Sequence, residues 1–184
     1  NMSHKTINKN KLNLEIQSSN LNEKLHFCFM HGFSFQSTTI NSFTNFYKDK
    51  DSFLKFIKKL FEVDIPNLSK KTFNELKTSK KHYHKIENNK DDKKRNMVIN
   101  IIKKMLKSKN FNSRQIEEFI NQNILDTDIY QLGLDGGVRV IGIISGNIFE
   151  ILFFDVHHLI YPSEKHNDID YESLKFSLES VGVK

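Results

Sequence analysis

Cysteine, tryptophan, proline, glycine and arginine are all scarce in this chain, and each shortage removes a class of explanation. Cys28 is the only cysteine, which excludes an intrachain disulfide and a CxxC-type zinc site. The seven glycines build no phosphate-cradling loop, because Gly136-Gly137 and Gly142 lack the required spacing. No apolar run approaches 18 residues and the mean hydropathy is -0.52, so no helical membrane span is expected. The opening NMSHKTINKNKLNL has no apolar stretch of the secretory kind, and a cytoplasmic location is the expectation. Internal repeats are absent.

What remains is a basic, phenylalanine-rich chain with room for one domain. Its 184 residues include 16 Phe and no Trp, so Phe, Ile and Leu must fill the core. The net charge is +6, yet only three of the 28 basic residues are arginines (Arg95, Arg114 and Arg139), a balance that favours a polyanionic partner only mildly. Residues 1–24 are polar and read as a flexible lead-in or an edge strand. Residues 25–184 read as a single domain.

Along that domain, Phe27, Phe29, Phe33 and Phe35 share one parity, with His31 at the missing odd position. That alternation predicts a strand bent at Gly32. Phe53, Phe56, Ile57, Leu60 and Phe61 form one helical stripe, capped by Asp51 or Ser52 and ended by Pro66. Ser69 is a candidate cap for a short helix to Thr78. A loop or an edge strand is expected around His82–Ile86. Helices follow over 93–108 and from Asn112 or Ser113. Strands are expected at 129–134, 138–144 and 148–154, joined through Asp135-Gly136-Gly137 and Ser145-Gly146-Asn147. A short helix near Tyr171–Glu179 closes the chain. The expected class is α+β, an antiparallel sheet with helices packed on one face.

Few polar residues interrupt the apolar C-terminal strands, and they are the candidates for chemistry. Arg139 lies between Val138 and Val140. It is either an ion-pair partner of Glu150 on the next strand or a bidentate fork for phosphate or carboxylate. Asp155 precedes His158 by three residues, a spacing at which a carboxylate orients an imidazole for general acid/base work, and Tyr161 follows at the same interval. The alternative is that Asp155 caps a turn while His158 and Tyr161 pack. His82 and His84 flank Tyr83 in a lysine-rich segment. Lys80, Lys81 and Lys85 there suit a nucleic-acid backbone and Tyr83 suits stacking on a base. A metal site built from His82, His84, His157, His158 and Asp155 is a further alternative. Cys28 reads as packing.

The C-terminal text IYQLGLDGGVRVIGIISGNIFEILFFDVHHLIY, residues 129–161, resembles the RelE/ParE-like superfamily of bacterial toxins, with an Arg on the middle strand of a meander and a His/Tyr pair after the last strand. It also resembles uncharacterised prophage- or plasmid-borne proteins of Gram-positive bacteria. The resemblance implies a RelE-like meander and a metal-independent endoribonuclease without cofactors. Its partners would be RNA, often on the ribosome, and a neutralising antitoxin. Arg139 would then stabilise the phosphate, and His158 or Tyr161 would be the acid/base group, assisted by His84 and His82. The competing expectation is a mobile-element protein that binds nucleic acid or protein without catalysis.

Overall fold

The computed structural model describes residues 23–29, 31–79, 83–86, 93–134, 136–162 and 170–181. Among the described residues seven strands are present: β1 His26–Cys28, β2 Thr39–Ile40, β3 Phe43–Thr44, β4 Tyr83–Ile86, β5 Ile129–Gly133, β6 Arg139–Ser145 and β7 Ile148–Asp155. Five of them form one sheet in the order β1-β7-β6-β5-β4, and β2 and β3 pair separately. The fold is α+β. The meander β5-β6-β7 and the pairing of β4 with β5 are antiparallel as expected, but β1 runs parallel to β7, which makes the sheet mixed.

The helices are α1 Lys50–Lys59, α2 Ile65–Leu68, α3 Phe73–Thr78, α4 Lys93–Ser108 and α5 Ser113–Asn123. They cover both faces of the sheet rather than one. On the first face, Val98, Ile101, Ile102, Met105 and Leu106 of α4 and Ile116 and Ile120 of α5 pack on Ile86, Ile129, Ile141, Leu152 and Phe153. On the second, Phe56, Leu60, Ile65, Phe73 and Leu76 pack on Leu132, Val140, Phe149, Ile151 and Phe154. A five-stranded sheet whose central strand is apolar on both sides needs two covers, and the chain before β4 supplies the second.

Three local departures from the expected elements have physical causes. The Phe27–Phe35 alternation is not one strand: β1 ends at Cys28, and turns follow through residues 32–35. Its rings are thereby divided, Phe27, Phe29 and Phe35 against the second face and Phe33 against the first. Pro66 does not end its helix. The chain continues from α1 through a π-helical turn, Leu60–Asp64, into α2, and the Ile65 amide reaches back five residues to the Leu60 carbonyl. Such a wide turn makes room for a ring that would otherwise press on the carbonyl four residues back. The helix toward Thr78 is capped by Thr72, not Ser69: Thr72 and Glu75 exchange a reciprocal capping box. Asp49, two residues before the expected cap, closes the start of α1, while Asn112 caps α5 as expected. The C-terminal stretch forms two 3-10 turns, Tyr171–Ser173 and Glu179–Val181. All but the last two residues of the 1–24 segment lie outside the described residues.

A β-bulge in β7 decides which face each polar residue occupies. Ile141 pairs with Phe153 and Gly142 with Ile151, so Leu152 is the extra residue. Leu152 and Phe153 therefore both enter the first-face core. Past the bulge the parity is reversed, which brings Asp155 onto the same face as Glu150. Gly142 permits this geometry, because a Cβ there would overlap the Glu150 carbonyl oxygen and the Phe149 ring.

Arg95, in the first turn of α4, is 4% exposed and donates from one guanidinium nitrogen to the carbonyls of Ile124, Leu125 and Thr127 at 2.8, 2.9 and 3.0 Å. A cation placed on the carbonyl end of α5 satisfies groups that the helix itself leaves open. Replacing Arg95 with Ala should lower the unfolding free energy by about 3 kcal/mol in urea titrations, since buried carbonyls lose their donor. Gly142→Ala should cost about 2 kcal/mol by overpacking. A neutral outcome for Gly142→Ala would mean that β6 and β7 tolerate a different register.

Candidate functional site

β4 alternates, and its two faces have different fates. His84 and Ile86 point toward the first face, while Tyr83 and Lys85 point toward the second. Tyr83 is stacked on Tyr130 with centroids 5.4 Å apart and meets Phe73 edge-on at 5.4 Å. Its ring is engaged in packing, on the face opposite His84. Lys85 forms an ion pair with Asp128 at 2.7 Å, so its charge is engaged, and that bond raises its pKa. Lys80, Lys81 and His82 lie outside the described residues.

Three of the expected candidates, His84, Arg139 and Tyr161, lie toward one end of the first face. Along one row of that face, His84 is opposite Gln131, and Gln131 is opposite Ile141. Arg139 lies two residues further along β6, which places its Cα about 12 Å from that of His84 at ordinary strand spacing and rise. The turn after β7 brings Tyr161 across this end. Its ring centroid is 6.2 Å from that of His84, and Lys94 Nζ stands 5.4 Å from the Tyr161 ring centre. His84, Tyr161 and Lys94 thus meet from three separate elements at a rim, and Arg139 lies toward the same end of that face.

Asp155 builds the turn that carries Tyr161. Its two carboxylate oxygens accept the amides of Leu159 at 2.8 Å and Ile160 at 2.9 Å, with the side chain wholly buried. That is the turn-capping role. Burial raises the Asp155 pKa, and the two amide bonds oppose the rise. His158 adopts φ +57°, the left-handed conformation that reverses the chain. His157 donates from Nε2 to the Phe46 carbonyl at 2.7 Å and ties the turn to the loop before α1.

Arg139 faces Asp155 in strand register and feels its charge, although no ion pair joins them among the described residues. Desolvation lowers the Arg139 pKa and Asp155 opposes that shift. Its hydrogen bond goes to the Val138 carbonyl at 3.0 Å, which spends one donor of a five-donor fork. The expected pairing with Glu150 does not occur. Glu150 is opposite Ile143 and contacts His31 Nε2 at 2.6 Å. Sequence reasoning missed that pair. Two signals were present: a His in the Phe parity, and a lone carboxylate in an apolar strand. Among the described residues no group of three or more His, Cys, Asp or Glu is arranged to hold a metal ion. No described helix is long and apolar enough to cross a membrane.

The arrangement defines a basic α+β protein with a cationic and aromatic rim at one end of a mixed sheet. The chain belongs to the family described as Uncharacterised protein UU032, whose model matches residues 31–183. It is similar to the protein of that name from Ureaplasma parvum serovar 3, with 34% identity over 136 residues, 71% of this chain and 66% of that relative. No solved structure matches.

The buried carboxylate makes a pH prediction. A folded-state pKa raised above the unfolded value means that the native state holds the proton more tightly. The stability that Asp155 contributes is therefore fully present below the unfolded carboxylate pKa and is lost as pH rises through the folded one. The stability of the wild-type protein relative to Asp155→Asn should accordingly decline as pH rises above about 4, where unfolded Asp titrates. Parallel urea titrations of the two proteins across pH check this; a flat difference would contradict it.

Proposed function

We propose that the chain is a metal-independent endoribonuclease of the toxin type, acting in the cytoplasm on RNA held at the rim of Arg139, His84, Tyr161 and Lys94. One observation carries the reading: the His84 and Tyr161 rings lie 6.2 Å apart, with the Lys94 cation beside them, on the face and at the end where Arg139 enters. A phosphodiester cleaved through its own ribose needs a base for the 2′-hydroxyl, a cation for the phosphate charge and an acid for the departing 5′-oxygen. His84 suits the base, being exposed on the edge strand. Arg139 suits the phosphate because its bond to Val138 uses one donor of a five-donor fork. Tyr161, half-buried between the core and Lys94, suits the acid, and His158 on the same turn is the substitute for that role. The products would carry 2′,3′-cyclic phosphate and 5′-hydroxyl ends. A neutralising protein would act by covering this rim.

The test is incubation of labelled RNA, free and on translating ribosomes, with protein in the presence of a chelator. Cleavage with cyclic phosphate ends is expected, slowed about 100-fold or more by each of Arg139→Ala, His84→Ala and Tyr161→Phe. RNA that is bound in a strongly salt-dependent manner yet stays intact would replace this reading with non-catalytic nucleic-acid binding. Absence of binding as well would end both.

A further inference from the structure

α4 joins the rim to a second basic site at its far end. Over Lys93–Ser108 it carries Lys93, Lys94, Arg95, Lys103, Lys104 and Lys107, and neither Asp nor Glu. α1, α3 and α5 each bear acidic residues, so the lysine-rich composition of the chain does not by itself account for the bias. Like charges three or four residues apart repel on a helix, and Lys107 stands at those intervals from both Lys104 and Lys103. Arg95 is spent on the end of α5, and Lys103 Nζ is paired with Glu117 at 2.7 Å. Lys93, Lys104 and Lys107 form no ion pair among the described residues.

These three cations are also ordered. Lys93, Asn96, Asn100, Lys104 and Lys107 are all exposed, and their spacing of three and four sets them in one stripe. At about 1.5 Å per residue the stripe is about 21 Å long. It begins beside Lys94, the cation near the Tyr161 ring, and ends in a notch between α4 and α5. Asn100, Lys104, Lys107 and Ser113 line this notch, an open cavity of about 320 Å3 with Ile40 and Ile116 as its apolar part. Ser113 opens α5, whose N-terminal dipole favours an anion at the same spot.

A polyanionic strand meets this pattern. It brings successive phosphates to the lysines, sugar and phosphate oxygens to Asn96 and Asn100, and an apolar ribose or base face to the isoleucines. An anionic bilayer meets it less well, because the apolar side of α4 is buried in the first-face core and nothing on the stripe can insert. We infer that α4 is the track along which an RNA strand leaves the rim, with Lys104 and Lys107 holding its phosphates at the notch. The inference rests on the reading that the rim holds RNA, and adds the path of the strand beyond it.

The test is fluorescence anisotropy, over a range of salt, with a labelled 2′-O-methyl RNA of about 12 nucleotides, which offers no free 2′-hydroxyl for cleavage. Lys104→Ala/Lys107→Ala should weaken binding about tenfold or more at low salt. It should also lower the slope of log affinity against log salt by about 1.4, two contacts at about 0.7 each. Lys50→Ala/Lys55→Ala removes the same charge from exposed positions of α1 and should leave that slope unchanged. Equal losses in the two pairs would overturn the inference, since net charge alone then explains them, and would leave RNA cleavage at the rim untouched. Dependence on Lys104 and Lys107 in a protein that never cleaves RNA would uphold the track and end the nuclease reading. Binding of phosphatidylglycerol vesicles in place of RNA, or no RNA binding at all, would overturn the inference.

Discussion

The pairing of β6 with β7 is the constraint from which the rest of the structure follows. Side chains on a strand alternate faces, so a slip of one residue would exchange everything that β7 presents to its two cores. The bulge at Leu152 performs that exchange on purpose, half-way along the strand. Before it, Phe149 and Ile151 serve the second face; after it, Phe153 and Asp155 serve the first. Only with the parity reversed does the Asp155 carboxylate come level with Arg139. Only then can the turn built on that carboxylate carry Tyr161 over to His84. Gly142 is the residue that lets two strands approach closely enough for this register.

Around that pairing, polar groups are buried mainly to fix chain direction. Arg95 gathers the end of α5 and so sets where β5 begins. Asn45 accepts the Thr38 amide and donates to the Gln36 carbonyl, which closes the loop bearing β2 and β3. Asp155 closes the turn after β7. These groups occupy their hydrogen-bonding capacity with backbone, so they define geometry rather than offer chemistry. His31 and Glu150 differ in kind, since they are buried against each other, side chain to side chain, at 2.6 Å.

Much of the fold was legible because it depends on local pattern. The α4 stripe Val98, Ile101, Ile102, Met105 and Leu106 reads as a helix at any level of inspection, and Asn112 announces the start of α5. Glycines at positive φ in the two hairpins of the meander mark their turns. The candidate rim was legible in part: Arg139, His84 and Tyr161 were singled out as rare polar residues in apolar surroundings. The packing of Tyr83 was not legible, because alternation says that two residues occupy opposite faces but not which face is covered. The aromatic partners Phe73 and Tyr130, distant in sequence, decided that. Pro66 was misread because a proline normally stops a helix, and the π turn that absorbs it has no sequence signature of its own.

By itself, then, the sequence determined the class of fold, the positions of most helices and strands, and the basic, single-cysteine character that narrows the chemistry. Those properties arise from neighbours along the chain, where spacing and capping are the physics. The tertiary structure alone decided the parallel docking of β1, the two-sided helical cover, the reversal of parity in β7 and the meeting of His31 with Glu150. Each of these depends on contacts between segments far apart in the chain, and a bulge of one residue is enough to change which of them are made.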